Sequence, residues 1–391
     1  MKKTSKTVAS LSLAAVLLLT SLPYNVYASE KLSRQELSKL NSVTNAVVTE
    51  GTRTAKISPR LNTKSDKKVS VIVQFKSEPA AVSQEYRRGS RSTSSQESRV
   101  AREHSSFLKE ARKKNIDLDV ERQFSLVFNG MELTLPANEI PKLAELPQVQ
   151  AVYENTTYSV PDVETADSGS YKYDIAPLKQ IGVLDMWKEG LDGRGLKVGV
   201  IDTGVDYLHP DLKDAYKGGY DSFDNDKDPY EEAPISPDDD RRGTGYEGSS
   251  HGTHVAGTIV GRAKNKDSDV QVKGVAYAAD LYVYRVLGRD GGSSAQVIDG
   301  IEKAVRDGMD VINLSLGAAM EKNADSPDSI AVNNAMRAGV ITVIANGNSA
   351  QDEPGRYYYT AGSPAGAKLP ITVGAVTPPS VLYDASATSS F

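Results

Sequence analysis

The alternation of apolar and polar residues in the first third of the chain predicts a mixed unit of strands and helices. Residues 69–75 (VSVIVQF) form a strand by their β-branched content, and a charged helix is predicted over 94–114. VERQFSLVF and MELTLP flank Asn129-Gly130, which predicts a hairpin with an Asn-Gly turn. A helix over 138–145 and a strand over 149–153 complete the order β-α-β-β-α-β. This order is typical of a ferredoxin-like α+β unit.

The pattern changes further along the chain to near-continuous apolar runs that are separated by helix-like stretches, such as 295–307 and 329–338. The apolar runs are 196–202, 281–287, 309–317, 340–347 and 370–376. Strands buried on both faces that alternate with helices predict an α/β fold, with a parallel sheet covered by helices on both faces. In such sheets the functional residues gather at the carboxyl ends of the strands.

The start of the chain has the features of a signal peptide. Three lysines precede an apolar run over residues 8–22, and Val26-Tyr27-Ala28 is a small-residue cleavage site. The run is interrupted by polar residues and is too short for a transmembrane helix. We expect export with cleavage after Ala28, and a protein that is extracellular or associated with the cell wall, with no membrane contact after removal of the signal.

A polar stretch over residues 160–174, without an apolar pattern, marks a boundary between the two patterned parts. The expected domains are therefore a signal peptide (1–28), an N-terminal unit (29–160, core about 69–154) and an α/β domain (170–391). Net charge is +5 over residues 30–160 and −13 over 161–391. The acidic second part does not favour nucleic-acid binding, and the basic first part could dock on it by charge complementarity. The chain has no cysteine, so packing or bound ions must stabilise the exported protein.

The segment SSHGTHVAGTIVG places His251 and His254 three residues apart among small residues. A helical zinc-protease site would need histidines four residues apart with a glutamate between them, which this segment lacks. Packing histidines at the start of a helix are an alternative. The position of Asp202 favours a catalytic role for His251, because a carboxylate at a strand's carboxyl end can orient an imidazole that accepts a proton.

The small residues of this segment are explained by the same hypothesis. Gly252, Ala256 and Gly257 would let the helix pack closely enough on the sheet for His251 to reach Asp202. His254, one turn further along the helix, would then be structural.

Four segments, VGVIDTGVD, HGTHVAGT, VINLSLG and ANGNSA, follow one another in this order. They resemble the Asp, His, substrate-strand and oxyanion segments of the subtilisin-like serine proteases, the subtilases, over about residues 175–391. The upstream unit is similar to the family's propeptide, which assists folding and then blocks the cleft. LPANEIPKL, YRVLG and ANGNS point to a secreted bacterial type within the family.

This resemblance implies a subtilisin-like sheet preceded by a ferredoxin-like propeptide, and a secreted serine endopeptidase of broad specificity. Its partners would be extracellular protein and peptide substrates and its own propeptide. Asp202 matches the orienting acid, His251 the general base, and Asn348, rather than Asn346, the side-chain oxyanion donor. Two backbone segments match those that clasp an extended peptide as an additional strand: Gly291, Gly292 and Ser293, and Ser315, Leu316 and Gly317.

An acidic loop, YDSFDNDKDPYEE, is a candidate metal site. Its Asp221, Asp224, Asp226 and Asp228 offer the oxygen ligands that Ca²⁺ prefers, and some subtilases use a similar loop. A solvated acidic loop is the alternative. We expect a structural calcium ion at most, and no cofactor for the chemistry.

The nucleophile of the family has no counterpart in the sequence. Subtilases carry it in a Gly-Thr-Ser segment, which is absent, and Ser386, Ser389 and Ser390 lack that context. The resemblance implies that the serine lies after Phe391, that the chain is truncated, and that it is inactive by itself. In the secreted bacterial type an inserted protease-associated domain begins near this point. The alternative is a non-catalytic secreted protein, either a peptide-binding pseudoenzyme or a chaperone-like module.

Overall fold

A computed structural model describes most of the chain after its first 56 residues. The described residues are 57–83, 94–160, 176–239, 248–268, 271–318, 323–349 and 361–376. They all belong to one compact unit, Thr52–Phe391. The predicted signal peptide, most of the polar boundary over 160–174, and Ser386, Ser389 and Ser390 lie outside the described residues.

The first described part has the predicted ferredoxin-like order. Its strands are β1 (Lys68–Phe75), β2 (Asp119–Phe124), β3 (Gly130–Pro136) and β4 (Val149–Glu154), paired antiparallel in the order β2-β3-β1-β4. Helices α1 (Ser94–Lys113) and α2 (Ile140–Ala144) cover one face of this sheet. Phe107 of α1 and Leu143 of α2 are fully buried against Val71 and Val73 of β1.

The hairpin between β2 and β3 is present, but the predicted two-residue turn is wrong. Phe124 pairs with Gly130, so residues 125–129 form a five-residue loop. The buried carboxylate of Glu302 accepts hydrogen bonds from the consecutive amides of residues 125–128, at 2.9 to 3.4 Å. Because these amides have a distant acceptor, SLVF does not continue the strand as its apolar character predicted.

The second part contains the predicted parallel sheet. Among the described residues it has six strands in the order β13-β12-β11-β6-β8-β7, and all neighbours are parallel. The strands are β6 (Lys197–Asp202), β7 (Tyr216–Asp221), β8 (Asp280–Arg285), β11 (Val311–Leu314), β12 (Ile341–Ala345) and β13 (Ile371–Val373). Each of the five apolar runs overlaps one strand of this sheet. The edge strand β7 was not predicted, because YKGGYD is glycine-rich and has no apolar run.

Helices cover both faces of this sheet, as predicted. On one face, α5 (His251–Val260) buries Ala256 and Val260 against Val198 and Val200 of β6. On the other, α6 (Ser294–Arg306) and α7 (Pro327–Arg337) pack on Ile201 and Ile312. Two short helices, α3 (Ala176–Gln180) and α4 (Val183–Lys188), precede β6. No helix in the described ranges is long and apolar enough to cross a bilayer.

The ferredoxin-like part packs on α6 and α7 through the second face of its sheet. Ile72 and Phe128 belong to the same buried cluster as Ile298 and Val332. Polar contacts fix the position: Asn334 donates to the carbonyl of Val127 at 2.8 Å, beside the Glu302 contacts. An ion pair across the interface joins Arg306 to Glu97 at 2.8 Å. In this pair the acid lies on the basic part and the base on the acidic part, which is the reverse of the charge complementarity predicted from the net charges.

Glu302 makes the docked state sensitive to pH. Burial raises the pKa of Glu302 to about 7 from an ordinary 4.5, although the four amides favour the ionised form. Between these two values the docked protein keeps a proton that the unfolded chain releases, so the stability that Glu302 contributes falls as pH rises.

We therefore expect the native chain to lose stability relative to the Glu302→Gln variant between pH 4.5 and pH 7, by on the order of 3 kcal/mol. Glutamine has the shape of the protonated acid and does not titrate. The measurement is urea unfolding of both proteins across this pH range. Glu97→Gln, which removes a half-buried acid of the same interface, is the control and should not change the slope. A stability difference between native and Glu302→Gln chains that is constant with pH would contradict the role of Glu302.

Candidate active site

Asp202 ends the central strand β6 and is fully buried. Its Oδ1 accepts the amide N–H of Thr203 at 2.8 Å and lies 2.6 Å from Nδ1 of His251. The structure thus brings together the two residues that the sequence singled out, across 49 positions of the chain. A buried carboxylate bonded to Nδ1 fixes the imidazole with its other nitrogen, Nε2, directed away from the carboxylate.

His251 is the first residue of α5, and its side chain is 14% exposed. Burial lowers the pKa of His251, but the hydrogen bond and charge of Asp202, together with the charge of Glu231, outweigh burial and raise it above 6.5. In the described part of the chain, Nε2 makes no hydrogen bond. The ring is therefore held by one nitrogen, stabilised in its protonated form, and open at the other nitrogen, as a general base requires.

Gly252 is the residue that permits this approach of helix to strand. A Cβ atom at this position would lie 2.0 Å from the carbonyl oxygen of Gly204 and 3.2 Å from Cβ of Asp202. Ala256 is buried as predicted, but the reason proposed for Gly257 is wrong, because a Cβ there would meet nothing within 4 Å. The side chain of His254 is exposed, so it does not pack in the core.

A groove beside His251 is occupied by the end of the ferredoxin-like part. Strand β5 (Thr157–Tyr158) pairs antiparallel with β10 (Gly291–Ser293), which also pairs with β9 (Leu287–Gly288). Gly291 has φ +93°, and a Cβ there would lie 2.0 Å from the carbonyl oxygen of Tyr158. Glycine is needed at this point because the extended segment passes directly over it.

The second predicted peptide-binding segment, Ser315 to Gly317, lines a cavity beside His251. A cavity next to β5 is lined by the end of the segment, by His251 and by residues of the predicted oxyanion and substrate segments: Ser159, Val160, Ser315, Leu316, Gly317, Gly347 and Asn348. Asn348 is exposed to this cavity. The backbone of Asn346 is instead bonded to Val373 and Gly362.

Sequence reasoning missed a polar pocket that holds Tyr158. This side chain is fully buried, and its hydroxyl donates to Oδ2 of Asp328, which also accepts from Oγ of Ser363 at 2.9 Å. Burial and the charge of Asp328 hold the pKa of Tyr158 well above its usual range, so the phenol stays a donor. Asp328 lies in the first turn of α7 and resembled an ordinary helix-start residue.

The residues predicted to bind calcium have protein partners instead. Asp221 and Asp224 each bind Nη1 of the buried Arg285 at 2.6 Å, and Oδ1 of Asp221 accepts two amides. Asp226 accepts the amide of Asp228, whose own carboxylate accepts the hydroxyl of Tyr207 at 2.6 Å. No cluster of three potential metal ligands occurs in the described ranges. This arrangement does not fit Ca²⁺, because a guanidinium already supplies the positive charge.

A second acid near His251, Glu231, was also missed. It is buried and accepts hydrogen bonds from Thr253 and Ser249, which flank the histidine. In the sequence it stands at the end of the acidic loop, next to Glu232, and nothing distinguishes the two. Glu232 in the structure contacts Arg285 and Arg289 instead.

Comparison with known proteins agrees with this geometry. The family model described as "Subtilase family" matches residues 193–391, and the one described as "Peptidase inhibitor I9" matches residues 70–161. The chain is 40% identical over 324 residues to the minor extracellular protease Vpr of Bacillus subtilis, covering 81% of this chain and 37% of Vpr. It is 33% identical over 276 residues to subtilisin E of the same organism, covering 69% of this chain and 63% of subtilisin E.

Comparison with solved structures shows a protease of similar fold. The crystal structure of the epidermin leader peptide processing serine protease from Staphylococcus aureus superposes with a TM-score of 0.51 at 19% identity, covering 79% of this chain and 69% of that one. Three findings lead to one assignment. They are the buried Asp202–His251 pair at the end of a central parallel strand, the glycine-lined groove, and the family match over half of the sequence. The chain belongs to the subtilase family of serine proteases.

Proposed function

We propose that the protein is a secreted serine endopeptidase of the subtilisin type, with residues 29–160 as its propeptide and 170–391 as part of its peptidase domain. The observation that carries the proposal is the 2.6 Å contact between Asp202 and His251, beside a groove that already holds an extended peptide segment. Hydrolysis of a peptide bond needs these two features together: a base and a means of holding the substrate backbone next to it.

In the proposed reaction, His251 accepts the proton of a serine hydroxyl at Nε2 while the hydroxyl oxygen attacks the peptide carbonyl. Asp202 holds the imidazole in the correct tautomer and stabilises the imidazolium. Asn348 donates from its side-chain amide to the oxygen that becomes negative, an interaction that typically contributes about 2.7 to 4 kcal/mol. His251 then returns the proton to the leaving amine. The nucleophile is taken to be the Gly-Thr-Ser serine that the family resemblance places after Phe391.

The ferredoxin-like part acts in this proposal as an inhibitor of its own enzyme. Its β5 segment occupies the groove in the manner of a substrate strand, since it forms main-chain hydrogen bonds with Gly291–Ser293. Its extensive packing on α6 and α7 supports a further role in folding, because α6 and α7 cover one face of the sheet.

The substrates proposed are extracellular proteins and peptides. The relative Vpr is named an extracellular protease, which supports export and an extracellular location. Association with the cell wall is a further part of the proposal. The chain spans 37% of Vpr and 63% of subtilisin E, so substrates and activity are carried over as proposals. Neither nucleic acid nor a membrane is a proposed partner. A non-catalytic peptide-binding protein is not favoured, because these relatives are named as proteases or subtilisins.

Recognition of the main chain gives broad specificity, but the pocket around Tyr158 adds a side-chain preference. Asp328 is 1% exposed, and its Oδ2 is placed to accept from a phenol. A phenylalanine in this pocket would leave a buried carboxylate oxygen with one donor fewer, which costs more than a missing surface contact. We therefore include a preference for tyrosine at the substrate position that corresponds to Tyr158.

The first prediction from this proposal concerns the nucleophile. A fluorophosphonate probe should label one serine of the natural protein isolated from its host, and mass spectrometry should place this serine after Gly-Thr. His251→Ala should abolish the labelling, because the hydroxyl is then no longer deprotonated. Residues 29–391 expressed alone should not be labelled. Labelling of Ser386, Ser389 or Ser390 that His251→Ala abolishes would assign the nucleophile to that residue, and labelling insensitive to His251 would contradict the mechanism.

The second prediction concerns the tyrosine pocket. Peptides that differ only by Tyr or Phe at the position equivalent to Tyr158 should differ in kcat/KM by about 10-fold or more, as expected for a hydrogen bond to a charged group. Asp328→Ala should remove this preference. Ser326→Ala is a matched control, since Ser326 bonds to Ser363 at 3.0 Å without contacting the phenol. A Tyr-to-Phe ratio that Asp328→Ala leaves unchanged would show that the pocket does not select substrates.

The third prediction concerns calcium, which the proposed chemistry does not need. Because Asp221 and Asp224 already bond to Arg285, we expect any calcium-dependent change in melting temperature to be the same in the native chain and in an Asp224→Ala, Asp226→Ala double variant. Thermal unfolding in calcium and in EDTA measures this change. A calcium-dependent change that is lost in the double variant would locate the ion in this loop after all.

A further inference from the structure

We propose that Glu231 is a positioning residue for the Asp202–His251 pair: its buried carboxylate joins the segments that carry the two residues and places a second negative charge beside the imidazole. The proposal rests on the proposed function in so far as the pair is taken to be catalytic. The contacts themselves are independent of that assignment.

Glu231 first fixes the segment that carries His251. Its Oε1 accepts the amide of Thr253 at 2.9 Å and the hydroxyl of Thr253 at 3.0 Å, and its Oε2 accepts the hydroxyl of Ser249 at 2.5 Å. Ser249 and Thr253 stand two residues before and two residues after His251. One carboxylate therefore holds both sides of the histidine and satisfies an amide of the first turn of α5, which has no acceptor within the helix.

Glu231 also contacts the segment that follows Asp202. The hydroxyl of Thr203 bonds to Glu231 and accepts the amide of Gly252 at 2.9 Å. The backbone packs equally closely, because a Cβ at Gly204 would lie 2.7 Å from the carbonyl oxygen of Tyr230 and 3.0 Å from the nitrogen of Glu231. The Glu231 segment thus lies between the end of β6 and the start of α5, and it limits how far Asp202 and His251 can separate.

The charge of Glu231 is not neutralised by an ion pair among the described residues. Its donors are two threonines and a serine, whereas the adjacent Glu232 contacts Arg285 and Arg289. Burial raises the pKa of Glu231, against hydrogen bonds that favour its ionised form. The ionisable groups that act on His251 are Asp202 and Glu231. Of the ionisable neighbours of Glu231 in the chain, Tyr230 bonds to Asp206, and Glu232 contacts Arg285 and Arg289.

This arrangement has a defined chemical consequence. When His251 accepts a proton, two carboxylates instead of one stabilise the imidazolium, since the charge of Glu231 raises the pKa of His251 in addition to Asp202. The same effect favours protonation of His251 in the absence of substrate. As pH falls, the neutral form that can act as a base is therefore lost at a higher pH than with Asp202 alone. Glu231 therefore acts through His251 and does not touch the substrate.

The test is an NMR titration of the full 391-residue chain with isotope-labelled histidine rings, assigned with single substitutions of its four histidines. In Glu231→Gln, the side-chain oxygen can still accept from Thr253, so the position of the helix is kept while the charge is removed. We expect the pKa of His251 to fall by about 0.5 to 1. Glu232→Gln, the neighbouring acid with arginine partners, is the matched control and should leave this pKa unchanged.

A second variant separates charge from position. The proton on Nδ1 of His251, shared with Asp202 across 2.6 Å, should give a strongly downfield NMR signal. We expect Glu231→Gln to keep this signal and Glu231→Ala to lose or broaden it, because alanine releases both Ser249 and Thr253. If Glu231→Ala does not fold, Thr253→Val tests position instead, since it removes the hydroxyl that donates to Glu231 and accepts the amide of Asp206. It should weaken the signal at an unchanged charge.

Two results would overturn the inference: a pKa of His251 that is equal in Glu231→Gln and Glu232→Gln, or a downfield signal unaffected by either Glu231→Ala or Thr253→Val. None of these measurements needs turnover. A shifted pKa of His251 in this chain, together with a natural protein from the host that fluorophosphonate never labels, would support Glu231 and contradict the proposed protease. A labelled serine together with an unchanged pKa of His251 would support the proposed protease and contradict the role of Glu231.

Discussion

The contact between Asp202 and His251 is the constraint on which the rest of this structure depends. A carboxylate and an imidazole can meet at 2.6 Å only if the first turn of α5 lies directly against the end of β6. That contact requires the absence of a side chain at Gly252, where the carbonyl of Gly204 leaves no room. It also requires acceptors for the amides at the start of the helix, which Thr203 and Glu231 provide. Sheet, helix and acidic loop are thus tied together at a single point.

The groove beside this pair is built on backbone contacts in the same way. Strand β10 presents glycines to β5, and the close approach at Gly291 leaves main-chain hydrogen bonds as the principal interaction. A site of this kind binds an extended chain with little regard for its side chains. The exception is the pocket of Asp328, where a buried carboxylate meets the hydroxyl of Tyr158. The proposed preference for tyrosine rests on this contact.

Two buried ionisable side chains, Arg285 and Glu302, bond to distant segments of the chain. Arg285, 4% exposed, binds Asp221 and Asp224, and Glu302 binds four consecutive amides of the docked ferredoxin-like part. Each of these groups would be costly to bury alone, so each fixes the geometry of the segments that satisfy it. The loop over Asp221–Asp228 resembles a calcium site in its composition, yet its carboxylates serve mainly to surround a guanidinium and to cap turns.

By itself the sequence determined the architecture, and it singled out Asp202 and His251 as a pair. Period-two and continuous apolar runs predict the strands of both sheets except the glycine-rich edge strand β7, because the residues of a buried strand are themselves apolar. Asp202 at the end of such a run predicts a site. The tertiary structure alone decided the partners of isolated polar residues. Glu231 and Glu232 are adjacent and chemically identical, and only folding places one beside His251 and the other beside Arg289. For the same reason the sequence could not show that Glu302 opens the loop at 125–129, that Arg285 fills the acidic loop, or that Asp328 receives Tyr158. Each of these contacts joins residues 53 to 177 positions apart, a separation over which local sequence patterns carry no information.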